Sequence, residues 1–160
     1  MRVIQSPEVP SLRPHERAAF LAGSIDMGSS VDWQGELIAA LDACHGVLLN
    51  PRRTHWDPAW PADASFPTFR QQVQWELSAM EAAGLIAFYF APGSQAPVTL
   101  LELGLAARTG KAVVCCPDGY WRKGNVDVVC EHHGIRRVSN IGELADEIRR
   151  YCATTGETPG

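Results

Sequence analysis

The stretch "LIAFYFAPGSQAPVTLLELGLAARTGKAVVCC", residues 85 to 116, holds three elements in a row. "LIAFYFAP" (85–92) is an apolar run without alternation, as a strand covered on both faces requires. "VTLLELGLAARTG" (98–110) reads as a helix, and "KAVVCCP" (111–117) as a second continuous apolar strand. Strand, helix and strand at this spacing make a parallel crossover unit. One carboxylate, Glu102, stands between Leu101 and Leu103. A carboxylate in such surroundings is costly to bury unless it is paired or neutralised.

The same alternation runs outward in both directions. Before it come a strand "RAAFLAG" (17–23), a helix "VDWQGELIAALDAC" (31–44) and a strand "HGVLLNP" (45–51). A long loop (52–67) follows, then a helix "TFRQQVQWELSAMEAAG" (68–84) with Phe69, Val73, Leu77 and Met80 on one stripe. After it come a short helix (125–134), a strand "IRRVS" (135–139) and an amphipathic helix (141–153). The expected fold is α/β, a flavodoxin-like doubly wound five-stranded parallel sheet with helices on both faces. Residues 1–17, with Pro7, Pro10 and Pro14 and no period, read as a loose arm, 18–153 as a single domain and 154–160 as a tail.

Net charge is -4, so the chain lacks the basic footprint of a protein that binds polymeric nucleic acid. No segment has the run of about 18 apolar residues that spans a bilayer. The five cysteines show no C-x-x-C spacing, so neither a metal nor a cofactor is expected, and they read as reduced thiols of a cytoplasmic protein.

In a doubly wound sheet the ligand lies beyond the carboxyl ends of the strands, at the switch point. That rule brings "GSID" (23–26), "NPRR" (50–53), "APGSQAP" (91–97) and "PDGYWRKG" (117–124) to one edge. Gly23 would allow a ligand to approach, with Ser24 and Asp26 offering polar groups, or this is an ordinary turn with Ser and Asp as caps. Asn50, Arg52 and Arg53 offer an amide and two guanidinium groups suited to phosphate or carboxylate, or solvated surface arginines. Gln72 and Glu76 share a helix face, with Trp75 beside them. If that face reaches the cleft, Gln72 and Trp75 bind substrate and Glu76 is a second carboxylate opposite Glu102, or it is an ordinary polar face. Thr99-Leu-Leu-Glu102 fits a capping box, and spacing alone favours the cap over a carboxylate facing the cleft.

Taken in order, "FLAGSID" (20–26), "DWQGELI" (32–38), "LLNPRR" (48–53), "FRQQVQWEL" (69–77), "TLLELGLAARTGKAVV" (99–114) and "YWRKGNVDVV" (120–129) resemble the nucleoside 2-deoxyribosyltransferase superfamily, in its deoxyribosyltransferase-like branch. The resemblance covers roughly residues 18 to 140. It implies that Glu102, followed by Leu103-Gly104, is the catalytic nucleophile and that Glu76 orients the substrate. It implies cleavage of the N-glycosidic bond of a small nucleoside or nucleotide, with the sugar passed to another base or to water. It also implies a homo-oligomer. Apolar neighbours and a second carboxylate would raise a carboxyl pKa, while the helix amino-terminus would keep Glu102 ionised. Some transferases carry an aspartate where this chain has Ala96, which leaves Glu76 and Asp26 as proton donors. Arg52, Arg53 and Ser94 suggest as an alternative an N-glycosidase of nucleoside 5′-monophosphates. A further alternative is a non-catalytic nucleotide sensor. Trp56, Trp60 and Phe66 in the long loop could stack on a base or pack at an interface.

Overall fold

The computed structural model describes residues 1–25 and 31–154. Six strands and five helices occur among them: β1 (Arg2–Gln5), β2 (Ala18–Gly23), α1 (Trp33–Ala40), β3 (Val47–Asn50), α2 (Pro67–Ala82), β4 (Leu85–Tyr89), α3 (Pro97–Ala106), β5 (Ala112–Cys115), α4 (Lys123–His133), β6 (Arg136–Val138) and α5 (Ile141–Ala153). The strands form one sheet in the order β1-β3-β2-β4-β5-β6, every pair parallel. Direction reverses between β3 and β4, which lie on opposite sides of β2. The switch point is therefore at the carboxyl ends of β2 and β4.

β2 and β4 are buried on both faces because successive side chains feed two cores. Phe20 and Ala22 point to one, where α2, α3 and α4 contribute Trp75, Ala79, Leu103, Ala106, Val126 and Cys130. Ala19 and Leu21 point to the other, under Trp33 and Leu37 of α1 and Leu144 and Ile148 of α5. Each large side chain fully buried this way contributes about 1.5–3 kcal/mol.

Two expectations are corrected here. The sheet has six strands, not five, because the stretch expected as a loose arm begins with β1. Arg2, Val3, Ile4 and Gln5 stand opposite Val47, Leu48, Leu49 and Asn50 of β3. Val3 and Ile4 are β-branched, but four residues between Met1 and Ser6-Pro7 hold no readable period. The remaining strands, in the order 3-2-4-5-6, follow the flavodoxin-like winding, and β1 extends it at one edge.

The second correction concerns α2. Its buried residues are Gln72, Trp75, Ala79 and Met80, whereas Val73 and Leu77 of the expected stripe are 37% and 43% exposed. Trp75 sets the phase of the helix: its ring goes to the core, 6.4 Å from Phe20. The small Ala79 and Ala83 beneath it let the helix approach the sheet.

Candidate active site

Pro97 occupies the first helical position of α3, a place proline suits because its missing N–H would have no partner. Ala96 before it is the N-cap, in the left-handed conformation with φ 41°, and caps nothing with its side chain. Thr99 is thus already in the first turn, and Glu102 is in the second. The capping-box reading of Glu102 is overturned: its carboxylate is too far along the helix to satisfy the free donors at the start.

Glu102 is 8% exposed, and among the described residues no donor reaches its carboxylate. Burial first, then the negative charge of Glu76, pushes its pKa up to about 8. The expectation that the helix amino-terminus keeps it ionised fails for the same positional reason, since that field fades beyond the first turn. Glu76 on α2 also has a raised pKa through burial, but two neighbours favour its charged form, Gln72 by a hydrogen bond and Arg53 by its charge. The two carboxyls therefore bear on one another with unequal support. Glu76 releases its proton first, and Glu102 keeps one near neutrality.

Gln72 is 7% exposed and uses its whole hydrogen-bonding capacity. Its Oε1 accepts from Ser6 Oγ at 2.7 Å and from Arg53 Nε at 2.6 Å. Its Nε2 donates to the Pro51 carbonyl at 2.8 Å and to Glu76 Oε1 at 2.9 Å. All four bonds go to protein groups, and through one of them the amide braces Glu76. Trp75 is likewise internal, its Nε1 donating to the Glu8 carbonyl at 2.5 Å.

The arginines after β3 turn toward the protein. Arg53 also donates to Gln71 Oε1 at 2.8 Å, and Arg52 reaches Gln34 Oε1 at 3.4 Å and Asp32 at 3.6 Å. Asn50, 5% exposed, accepts from the Arg52 backbone N–H at 3.1 Å and so shapes that turn.

The segments after β2, β4 and β5 meet, as the switch-point rule requires. Ser24 Oγ and Ser94 Oγ are 2.6 Å apart, Ser24 Oγ accepts from the Ala91 N–H at 3.1 Å, and Ser94 Oγ donates to the Ala91 carbonyl at 2.8 Å. Tyr120 Oη and Trp121 Nε1 donate to the Gln95 carbonyl at 2.8 and 3.0 Å. Gly23 is needed for packing: a Cβ there would meet the Trp33 ring and the Tyr89 carbonyl, each at 2.5 Å. Asp26 lies outside the described residues.

In the long loop Trp56 and Trp60 pack edge to face at 5.2 Å, with Phe66 6.2 Å from Trp60. A cavity of about 520 Å³ opens at the carboxyl ends of β5 and β6, lined by residues including Lys123, Asp127 and Arg137 but by neither glutamate. Asp127 is already paired there with Lys123 at 2.9 Å and Arg137 at 3.4 Å. Among the described residues no cluster of His, Cys, Asp and Glu could hold a metal ion, and no helix is long and apolar enough to cross a membrane.

Sequence reasoning missed Ser6, which joins the carboxyl network from the segment after β1. Its only signal was Val3-Ile4, the one β-branched pair ahead of Pro7.

Known proteins bear on this arrangement in two ways. The fold is similar to that of a conserved protein from Enterococcus faecalis V583, whose crystal structure superposes with a TM-score of 0.56 at 15% identity, covering 84% of this chain and 98% of that one. At that identity the likeness concerns the fold alone. No curated protein matches the chain. Residues 16–120, which contain both glutamates and every strand from β2 to β5, match the family described as nucleoside 2-deoxyribosyltransferase like, and to that family the chain belongs.

Proposed function

We propose that the protein cleaves the N-glycosidic bond of a nucleoside or deoxynucleoside through a glycosyl ester on Glu102, passing the sugar to another base or to water. One observation carries the reading. Glu102 is a buried carboxyl that no donor reaches among the described residues, set against a second carboxyl that is held by Gln72 and Arg53. A purely structural carboxyl would be paired or exposed.

The chemistry then follows in two balanced steps. The departing base takes a proton on nitrogen or oxygen, and the C1′–N bond breaks with its electron pair going to the base. The one proton that the pair retains near neutrality supplies that need, directly or by way of Glu76. Its loss leaves Glu102 anionic, so an oxygen of its carboxylate bonds C1′ as positive charge develops there. A second base or water, giving up its own proton to the pair, then displaces the glutamate, and two inversions give net retention. The singly protonated pair is the active form. Base release therefore rises as the first proton leaves the pair and falls as the second leaves near pH 8.

The same reading includes a homo-oligomer. Val98, Leu101 and Leu105 of α3 are 56%, 65% and 56% exposed, and Val73 and Leu77 of α2 add to the apolar surface. Val98 is one turn before Glu102 on the same side of its helix. A second copy covering this surface would shield the carboxyl pair from water.

The test is chromatography of free base released from ribo- and deoxyribonucleosides and their 5′-monophosphates, with and without a second base, by wild type and Glu102→Ala. Base release that vanishes in a folded Glu102→Ala protein is expected. Saturable binding without release across the panel would sink the enzymatic reading in favour of a sensor. Exclusive turnover of monophosphates would restore a phosphate role to the arginines, whose present partners are protein groups.

A further inference from the structure

We propose that the segment just after β1 is a positioning element of the carboxyl pair, with Ser6 orienting the Gln72 amide so that its Nε2 is presented to Glu76. The inference rests on the proposed function for its meaning in catalysis, but the geometry stands by itself.

Three contacts tie this segment to the site. Gln5 Nε2 donates to the Arg52 carbonyl at 2.6 Å, Ser6 Oγ to Gln72 Oε1 at 2.7 Å, and Trp75 Nε1 to the Glu8 carbonyl at 2.5 Å. Ser6 is itself 3% exposed, and its backbone N–H is bonded to the Asn50 carbonyl at 3.0 Å, which fixes the main chain that carries the hydroxyl. β1, the loop after β3 and α2 are thereby joined around a single amide.

The orientation of that amide has one solution. Arg53 Nε can only donate, and the Pro51 carbonyl can only accept, so the oxygen of Gln72 faces Arg53 and its NH2 faces Pro51. Ser6 donates to the same oxygen and stabilises that choice. With the oxygen so fixed, the second N–H of Nε2 points to Glu76. Turned over, the amide would set its oxygen against the carboxylate and repel it.

The charged groups bearing on Glu76 are Arg53 from the loop after β3 and Glu102 from α3. Arg2 of β1 is paired with Glu16 at 2.5 Å, and Glu8 is exposed at the surface. The N-terminal segment thus acts on the pair through a hydrogen-bond chain and not through charge. Ser6 lies outside residues 16–120, the part that matches the family, so the family match by itself does not point to it.

The experiment is a carbon-13 carboxyl NMR titration of Glu76 in the full chain, compared with kcat and KM for base release. The proteins are wild type, Ser6→Ala, Ser6→Thr and Gln72→Met. Losing a hydrogen bond to a charged group is expected to raise the Glu76 midpoint by about one pH unit in Gln72→Met. Ser6→Ala should move it in the same direction by less, lower kcat severalfold with KM little changed, and be rescued by Ser6→Thr. Should Gln72→Met fail to fold, the two Ser6 variants carry the test.

A Glu76 midpoint unmoved in folded Ser6→Ala, or no rescue by threonine, would overturn the proposal. The titration needs no turnover, so the two readings can fail separately. An inactive wild type with the expected shifts would sink the function and leave the positioning. Turnover that depends on Glu102 beside an unmoved Glu76 would do the reverse.

Discussion

Replacing Glu102 by glutamine should make the protein more stable, and increasingly so as pH rises. In the folded chain the carboxyl pKa is raised from an ordinary 4.5 to about 8 by burial and by the charge of Glu76. Between those values the native state holds a proton that the unfolded chain has released. The stability tied to Glu102 is therefore complete below pH 4.5 and is lost as pH climbs through 8. The shift is 8 minus 4.5, or about 3.5 units, and at about 1.4 kcal/mol per unit it caps the loss at about 5 kcal/mol. Water reaching the site would reduce this, and half the ceiling is a fair working figure. Glutamine has the same shape and no charge, so Glu102→Gln lacks this slope. The assay is thermal and urea unfolding of both proteins from pH 4 to 9. The gap between them should widen with pH, by roughly 5–10 °C in Tm at about 2–4 °C per kcal/mol. Parallel curves would refute the reasoning, because they would mean that Glu102 titrates like an exposed carboxyl. A variant that gains stability at high pH while losing base release would mark Glu102 as a group kept for function at a cost to the fold.

Other consequences can be checked with single substitutions. Glu76→Gln removes the second cause of the raised Glu102 pKa, so the alkaline limb of base release should move below pH 8; an unmoved limb would take Glu76 out of the proton chemistry. Gly23→Ala drives a methyl group into the Trp33 ring and the Tyr89 carbonyl, and should cost about 1–3 kcal/mol in urea unfolding. Leu101→Glu on the exposed face of α3 should leave the far-ultraviolet circular dichroism unchanged and reduce the mass found by light scattering. An unchanged mass would move the interface elsewhere.

The core of the fold was legible where burial on both faces leaves an unmistakable trace. "LIAFYF" and "AVVCC" read as strands because they are apolar runs without alternation, and Ala87, Phe88, Val114 and Cys115 are indeed fully buried. β1 was not legible, since an edge strand of four residues needs only two apolar side chains. Pattern also misled at α2. Val73 and Leu77 gave the cleaner stripe, but the bulk of Trp75 and the smallness of Ala79 and Ala83 decided which side met the sheet. At α3 the spacing of Thr99 and Glu102 suggested a cap, although Pro97 already announced an earlier start. Glu102 stood out in the sequence as a carboxylate among leucines, whereas Glu76 was singled out by the helix face it shares with Gln72 and by the family resemblance. Their support could not be named in this way, because Ser6 and Gln72 are 66 residues apart and only the sheet brings them together.

β1 is held by hydrogen bonds on one side only, to β3, and it is four residues long. A rim strand of that kind comes away at a lower free energy than the central strands, which open only when the whole domain does. Each detachment would carry Ser6 and Glu8 off α2 while β2, β4 and β5 keep their pairing. The working state of the carboxyl pair is then governed by the melting of a short margin and not by the melting of the molecule. On warming, activity should fade while the sheet is still intact, with the amides of Ile4 and Ser6, which face β3, exchanging with solvent well before those of Leu21 and Phe88.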